Sequence, residues 1–188
     1  MQKGKLLVIS GPSAGVGKDT ILKMFLQKHP DWSMPPSVTT RAPRMGEIDG
    51  RDMTFVAEKQ FKNWQAEGKF LEAVLVDNNK WYGTLRAPVE ELLEAGKNVI
   101  LRKDVRGCML IKKTMPEATL VFIAAENLEI LEQRIRARGT EDEVSIKRRL
   151  NLAKSEMAYQ DKFDYMVVNP SGHPEKALAE IEDIIQNA

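Results

Sequence analysis

Several residue types that define protein classes are scarce in this 188-residue sequence. A single cysteine, Cys108, excludes an intrachain disulfide and indicates a reducing compartment. The two histidines, His29 and His173, do not form a metal-binding motif with it. Lysine and arginine total 28 against 27 aspartate and glutamate, so the chain lacks the basic excess with which proteins hold nucleic-acid phosphates. We therefore expect no nucleic-acid partner.

Long apolar runs are also missing. The first apolar run, residues 6–9, is too short for a signal peptide, and no stretch approaches the roughly 20 residues of a membrane-spanning helix. The composition is otherwise that of a globular protein, with 43% apolar and 29% charged residues. The sequence thus predicts one domain of ordinary size, without membrane contact, in the cytoplasm.

Short apolar runs alternate with helical patterns along most of the chain. Runs that are apolar on both faces are typical of strands buried in a parallel sheet, and apolar residues three and four apart predict helices. In the first helix, Ile21, Met24 and Phe25 share a face, and Pro30 ends it. The other predicted elements are strands at residues 6–9, 99–101, 120–123 and 165–168, and helices at 89–95, 128–138, 143–159 and from 174 onward. This alternation predicts an α/β fold, a parallel sheet flanked by helices.

The segment from residue 35 to residue 82 has a different character. It is polar and rich in turns, with candidate strands at residues 53–56 and 70–76. One helix is predicted between them, with Phe61 and Trp64 facing inward. We interpret this segment as an insertion carried on the α/β core.

A glycine-rich segment joins the first strand to the first helix. Its residues are Gly11, Pro12, Ser13, Ala14, Gly15, Val16, Gly17, Lys18, Asp19 and Thr20. Between a strand and a helix, such a segment is typical of a phosphate-binding loop, in which backbone N–H groups and the helix N-terminus bind the anion and a lysine reaches the outer phosphates. The alternative is a plain strand-to-helix turn with a surface lysine.

This loop is irregular in two respects. Five residues rather than four separate Gly11 from Gly17 and Lys18, so the extra residue must bulge the loop or move its start. Asp19 occupies the position of the usual Ser or Thr ligand of magnesium. Asp19 could bind the metal itself or repel phosphate, and Thr20 could supply the hydroxyl instead.

A second set of motifs resembles the guanylate kinase family. The segment Thr-Thr-Arg-Ala-Pro-Arg-Met-Gly-Glu at residues 39–47 is similar to that family's long and specific signature. Further similar segments follow in the family's order, at residues 82–84, 104–107, 134–140, 148–150 and 163–169. The resemblance covers nearly the whole chain.

The resemblance implies a P-loop NTPase-type core, an inserted nucleoside-monophosphate-binding subdomain and a small lid. It places the core at residues 1–34 and 87–188, the GMP-binding insertion at about 35–86 and the lid at about 136–150. It also implies transfer of the γ-phosphoryl group of ATP to GMP with Mg²⁺, giving ADP and GDP. It leaves the oligomeric state unknown.

The resemblance also implies roles for individual residues. Arginine forks suit phosphate oxygens, carboxylates accept from the N1–H and 2-amino groups of guanine, and hydroxyls donate to its O6. The implied catalytic residues are Lys18, Arg134, Arg138 and Arg149. The implied GMP-binding residues are Ser37, Arg41, Arg44, Glu47, Glu72, Tyr82, Thr84 and Asp104. Residues 11–20 and Asn169 are implied for ATP, with Asp19 or Thr20 as the magnesium ligand.

Some residues depart from the family pattern. Met53 replaces a tyrosine that donates to the GMP phosphate, and Ala73 replaces a tryptophan. Arg102 replaces an acidic residue, and Lys103 an apolar one. We hypothesise that Asp19 takes over the acidic role lost at Arg102. Two other functions remain open, a GMP-binding module with impaired catalysis and a kinase for another phosphorylated acceptor.

Overall fold

The computed structural model describes residues 3–76, 79–137, 139 and 142–187. Its strands are β1 (Leu6–Ser10), β2 (Trp32–Ser33), β3 (Ser37–Thr39), β4 (Met53–Phe55), β5 (Phe70–Val76), β6 (Lys80–Leu85), β7 (Asn98–Arg102), β8 (Thr119–Ala124) and β9 (Tyr165–Val168). Its α-helices are α1 (Lys18–Lys28), α2 (Glu58–Ala66), α3 (Arg86–Glu94), α4 (Val105–Thr114), α5 (Leu128–Arg136), α6 (Glu143–Met157) and α7 (Pro174–Asn187). A short 3₁₀ turn at Gln160–Lys162 precedes β9.

A parallel five-stranded sheet forms the core, in the order β2-β7-β1-β8-β9. Because side chains alternate along a strand, Leu6 and Val8 of β1 join a cluster with α3 and α4, whereas Leu7 and Ile9 join the cluster formed with α1, α5, α6 and α7. Both faces of β1 are therefore buried. The predicted α/β fold with a helix-flanked parallel sheet is confirmed.

The inserted segment forms a second, four-stranded sheet in the order β4-β3-β6-β5. Phe61 of α2 is fully buried and stacks on Phe70, with ring centroids 4.4 Å apart. Trp64, predicted to face inward, is only half-buried, and the Lys69 ammonium lies over its ring. Helix α4 packs against β5 and so joins the second sheet to the core.

The sequence analysis did not predict every element. It missed α4 and the strands β2, β3 and β6, and it extended the helix that begins at Glu143 two residues too far. Helix α5 ends at Arg136, and residue 138, the predicted end of that helix, lies outside the described residues. Strands β2 and β3 have only two and three residues, too few to show a periodic pattern. Among the described residues, the structure contains no helix with the length and apolarity needed to cross a membrane.

Candidate functional site

Two neighbouring strands of the core place the candidate site at one edge of the sheet. Strands β1 and β7 run parallel, so the glycine-rich loop after β1 and residues 102–104 at the end of β7 lie side by side. The Ser10 hydroxyl donates to the Lys103 carbonyl at 2.9 Å, and the Lys103 N–H donates to the Ile9 carbonyl at 3.1 Å. Residues 11–20 and 102–104 line a cavity of about 350 Å³, which we call the loop cavity.

The loop turns sharply before α1 begins. Gly17, at the helix N-terminus, has φ 80°, and a β-carbon there would lie 2.5 Å from Asn169 Nδ2. Glycine is thus required both for the backbone conformation and for the close approach. Lys18 Nζ donates to the carbonyls of Gly11, at 2.9 Å, and Pro12. Its ammonium therefore lies across the loop and would have to exchange these carbonyls for phosphate oxygens.

The start of the loop is attached to α6. The Ser13 N–H donates to Glu156 Oε2 at 2.7 Å, and the Ser13 hydroxyl donates to Oε1 of the same carboxylate. Glu156 is only 6% exposed and was missed by the sequence analysis. The sequence did carry a sign of its role. Ile146, Ala153 and Glu156 share the buried face of α6, and a carboxylate on such a face needs a partner.

Asp19 and Arg102, two charged residues at irregular positions of the sequence motifs, are in direct contact. Arg102 Nη1 forms an ion pair with Asp19 Oδ1, so opposite charges meet beside the loop cavity. Thr20 lies next to them in the cavity wall. Within the described residues, no group of three or more His, Cys, Asp or Glu side chains is arranged to hold a metal ion.

Of the predicted lid arginines, Arg134 lies behind the loop, next to Asn169. Asn169 Nδ2 donates to the Val16 carbonyl at 2.8 Å, and the backbone carbonyl of Asn169 accepts from Arg134 Nη2 at 2.9 Å. Arg149 is half-buried on α6. Neither arginine lines the loop cavity in this state. Arg138 lies outside the described residues.

A larger cavity of about 860 Å³, the acceptor cavity, separates the second sheet from residues 102–104. The guanidinium of Arg41 grips the Glu47 carboxylate with two hydrogen bonds of 2.6 and 2.7 Å. These bonds lower the pKa of Glu47 to about 2, with help from the Arg44 N–H, and raise the pKa of Arg41. Glu47 was predicted to bind GMP, but here its carboxylate orients Arg41.

Glu72 is the buried carboxylate of the acceptor cavity, at 3% exposure. A register shift between Phe70 and Glu72 lets the adjacent residues Leu71 and Glu72 both be buried. Thr84 lies opposite Glu72 on β6 and donates its hydroxyl to Glu72 Oε1 at 2.7 Å. The predicted role of Thr84 as a donor to guanine O6 is not supported by this arrangement, since its hydrogen is already used.

Asp104 caps the N-terminus of α4. Its Oδ1 accepts from the Gly107 N–H at 2.7 Å, and its Oδ2 pairs with Arg106 Nη2 at 3.0 Å.

The acceptor cavity brings together seven of the eight predicted GMP residues, namely Ser37, Arg41, Arg44, Glu47, Glu72, Tyr82 and Asp104. Thr84 stands behind Glu72, outside the cavity wall.

Known proteins resemble this chain over nearly its whole length. The family model described as "Guanylate kinase" matches residues 3–188. The guanylate kinase of Synechocystis sp. is 44% identical over 167 residues, which cover 89% of this chain and 86% of that protein. That of Gloeobacter violaceus is 47% identical over 165 residues, 88% of this chain and 80% of that protein. The crystal structure of guanylate kinase from Anaplasma phagocytophilum aligns with TM-score 0.78 at 27% identity, covering 99% of this chain and 86% of that one.

Proposed function

Because the chain belongs to the guanylate kinase family, we propose that it transfers the γ-phosphoryl group of ATP to GMP, giving ADP and GDP. The observation that carries this proposal is the wall shared by the two cavities. Ser13, Arg102, Lys103 and Asp104 line both the loop cavity and the acceptor cavity. A phosphoryl group held by the loop therefore faces an acceptor held beneath the second sheet.

Phosphoryl transfer depends on positioning and positive charge rather than on covalent chemistry by the protein. The loop N–H groups and Lys18 bind the phosphates of ATP. On the acceptor side, Arg41, Arg44 and Tyr82 line the cavity and suit the phosphate of GMP. The preformed bond of Arg41 to Glu47 lowers the ordering cost, because the guanidinium is already oriented.

The lid supplies further positive charge when it closes. We assign this role to Arg134, Arg138 and Arg149 in the lid and the helices beside it, with the lid at about residues 136–150. Support comes from the position of Arg134 behind the loop, where it contacts the Asn169 carbonyl. Closure of the lid and of the insertion, residues 35–86, onto the core excludes water that would otherwise hydrolyse ATP.

The residues beside the loop fit a magnesium ion. Mg²⁺ prefers oxygen ligands and is usually held by one or two protein groups together with substrate phosphates. Asp19 and Thr20 supply a carboxylate and a hydroxyl in the wall of the loop cavity. When bound, the ion would neutralise charge on the transferring phosphates.

The cytoplasmic location and the lack of a nucleic-acid partner stay predictions.

A coupled assay of ADP formation tests the proposed function. ATP, magnesium and each nucleoside monophosphate would be supplied in turn to the wild-type protein and to Lys18→Met. We expect turnover with GMP and a loss of at least about 100-fold in the variant, because a preorganised charge on the transferring group is removed. Lys23→Met, an exposed lysine on the same helix, is the matched control and should keep full activity.

The same assay separates the alternatives. Binding of GMP by calorimetry without turnover would identify a binding module. Turnover with another acceptor and not with GMP would contradict the base assignment.

A further inference from the structure

Lys103 is a buried cation to which the proposed function gives no role beyond lining the wall shared by the two cavities. Its side chain is 7% exposed, although lysine is seldom buried without a partner. Its backbone is fixed by two hydrogen bonds to β1, through Ile9 and Ser10. The side chain is thus held at the floor of the acceptor cavity, beside Glu72.

The ammonium of Lys103 contacts two predicted base-binding side chains at once. Its Nζ donates to Ser37 Oγ at 2.6 Å and lies 3.3 Å from Glu72 Oε1. Glu72 Oε1 also accepts from Thr84, so this oxygen is saturated. The other oxygen, Oε2, is buried and has no hydrogen-bond partner among the described residues. This oxygen lies beside Gly107 of α4 and has unused capacity to accept a hydrogen bond, and Glu72 itself lines the acceptor cavity.

The direction of the Ser37 hydrogen bond follows from chemistry alone. An ammonium group has three donors and no acceptor, so the Ser37 oxygen must accept from Lys103. The Ser37 hydroxyl hydrogen is therefore left to donate to something else in the cavity. Together, Ser37 offers a donor and Glu72 offers an acceptor, which is the pattern that O6 and the N–H groups of guanine require.

We propose that Lys103 is a specificity-determining positioning residue, which fixes Ser37 as a donor and Glu72 as an acceptor for a 6-oxo-2-aminopurine. This inference rests on the proposed function, because it assumes that the acceptor cavity binds the base. Without the ammonium, the Ser37 hydroxyl turns freely and the Glu72 carboxylate is buried without a compensating charge. Both groups then lose the geometry that distinguishes guanine from related bases.

The test compares GMP with IMP, which lacks the 2-amino group. Lys103→Met keeps the length of the side chain and removes the charge and the donors. We expect the KM for GMP to rise about 10- to 100-fold, on the scale of one or two charge-assisted hydrogen bonds, while kcat and the KM for ATP stay within about threefold. The preference for GMP over IMP, measured as the ratio of kcat/KM values, should fall about tenfold.

Two further variants separate positioning from simple stabilisation. Lys112→Met removes another lysine that pairs with a carboxylate, Asp164, but lies outside both cavities, so it should leave the preference for GMP unchanged. Ser37→Ala should weaken GMP binding, and its effect should be smaller in the Lys103→Met background, since the two residues act together. If Lys103→Met does not fold, Lys103→Met/Glu72→Gln, compared with Glu72→Gln alone, avoids an isolated buried charge and measures the effect of Lys103 on Ser37, as a rise in the Kd for GMP.

The outcomes are distinct. An unchanged ratio of GMP to IMP in the Lys103 variants, with the wild type active, would overturn the proposal and leave the kinase function intact. A wild type without GMP phosphorylation would overturn the proposed function instead. In that case calorimetry of GMP and IMP binding, which needs no turnover, still decides the role of Lys103.

Discussion

In and beside the acceptor cavity, side chains that suit phosphate and guanine are hydrogen-bonded to one another. The family signature led to the residues that line the acceptor cavity, because these residue types are needed for phosphate and guanine. It did not reveal that Glu47 is hydrogen-bonded to Arg41, or that Thr84 is hydrogen-bonded to Glu72. Such pairings depend on cross-strand register and loop shape, which one sequence does not specify.

Asp19 and Arg102 can be tested as a pair. Asp19→Asn removes the carboxylate from the loop cavity and leaves Arg102 without this ion-pair partner. We expect magnesium-dependent activity to fall about tenfold, with a higher magnesium concentration needed for half-maximal rate, because one charged interaction is lost. The rate should be measured as a function of magnesium concentration.

Arg102→Leu should lower the magnesium-dependent activity less in the Asp19→Asn background than in the wild type, since the contact between the two side chains is already broken. Glu58→Gln, which breaks an exposed ion pair with Lys62 on α2, is the control. An unchanged magnesium dependence in Asp19→Asn would refute the idea that Asp19 has taken over the acidic role of the family position now held by Arg102.

Among the elements, the core strands β1, β7, β8 and β9 were predicted, as were β4, α2 and β5 of the insertion, whereas β2, β3, β6 and α4 were not. Strands β1, β7 and β8 are short apolar runs buried on both faces, whereas β9, predicted to be buried in the same way, leaves Tyr165 and Met166 exposed at the edge of the sheet. Helix α4 carries Cys108 and Ile111 on its buried side, but its polar residues hid that spacing. The missed strands of the insertion, β3 and β6, acquire their conformation from tertiary pairing, so local sequence did not predict them.

Helix α6 offers a prediction at this scale, because Glu156 joins it to the loop. Glu156→Ala leaves the Ser13 N–H and hydroxyl without their acceptor. We expect the KM for ATP to rise about tenfold and the free energy of unfolding to fall by about 1–3 kcal/mol. Steady-state kinetics and denaturant unfolding measure the two effects.

Glu156→Gln, which can still accept one bond, should give a smaller effect on both quantities. Ser155→Ala, one position away on the exposed side of α6, is the control and should change neither. If Glu156→Ala bound ATP as tightly as the wild type, the loop would be holding its shape without α6.

At the scale of the whole molecule, the reactivity of Cys108 reports how often the protein unfolds. It is fully buried between α4 and the core sheet, and burial raises the pKa of its thiol to about 12. Since the thiolate is the reactive form, a thiol reagent at neutral pH should label the native protein only through unfolding. We expect labelling of unfolded protein within seconds and of native protein at least about 1,000-fold more slowly, in line with a stability of several kcal/mol.

GMP should slow this labelling further, because its cavity includes Asp104, the capping residue of α4. Absorbance from a disulfide reagent, with and without GMP, gives both rates. Rapid and complete labelling of the native protein would mean that α4 detaches readily from the sheet.

The strand order of the core also has a consequence for synthesis on the ribosome. Strand β1 leaves the ribosome early, yet its neighbours β7 and β8 begin at residues 98 and 119. The insertion, whose β5 and β6 form a local hairpin, has its pairing partners within one stretch of chain. The nascent chain can therefore complete the acceptor half first, while β1 waits for almost 90 residues of further translation before β7 begins, and for more than 100 before β8 begins. During that interval β1 is an unpaired apolar segment exposed to solvent, and it is a binding site for chaperones that recognise such segments.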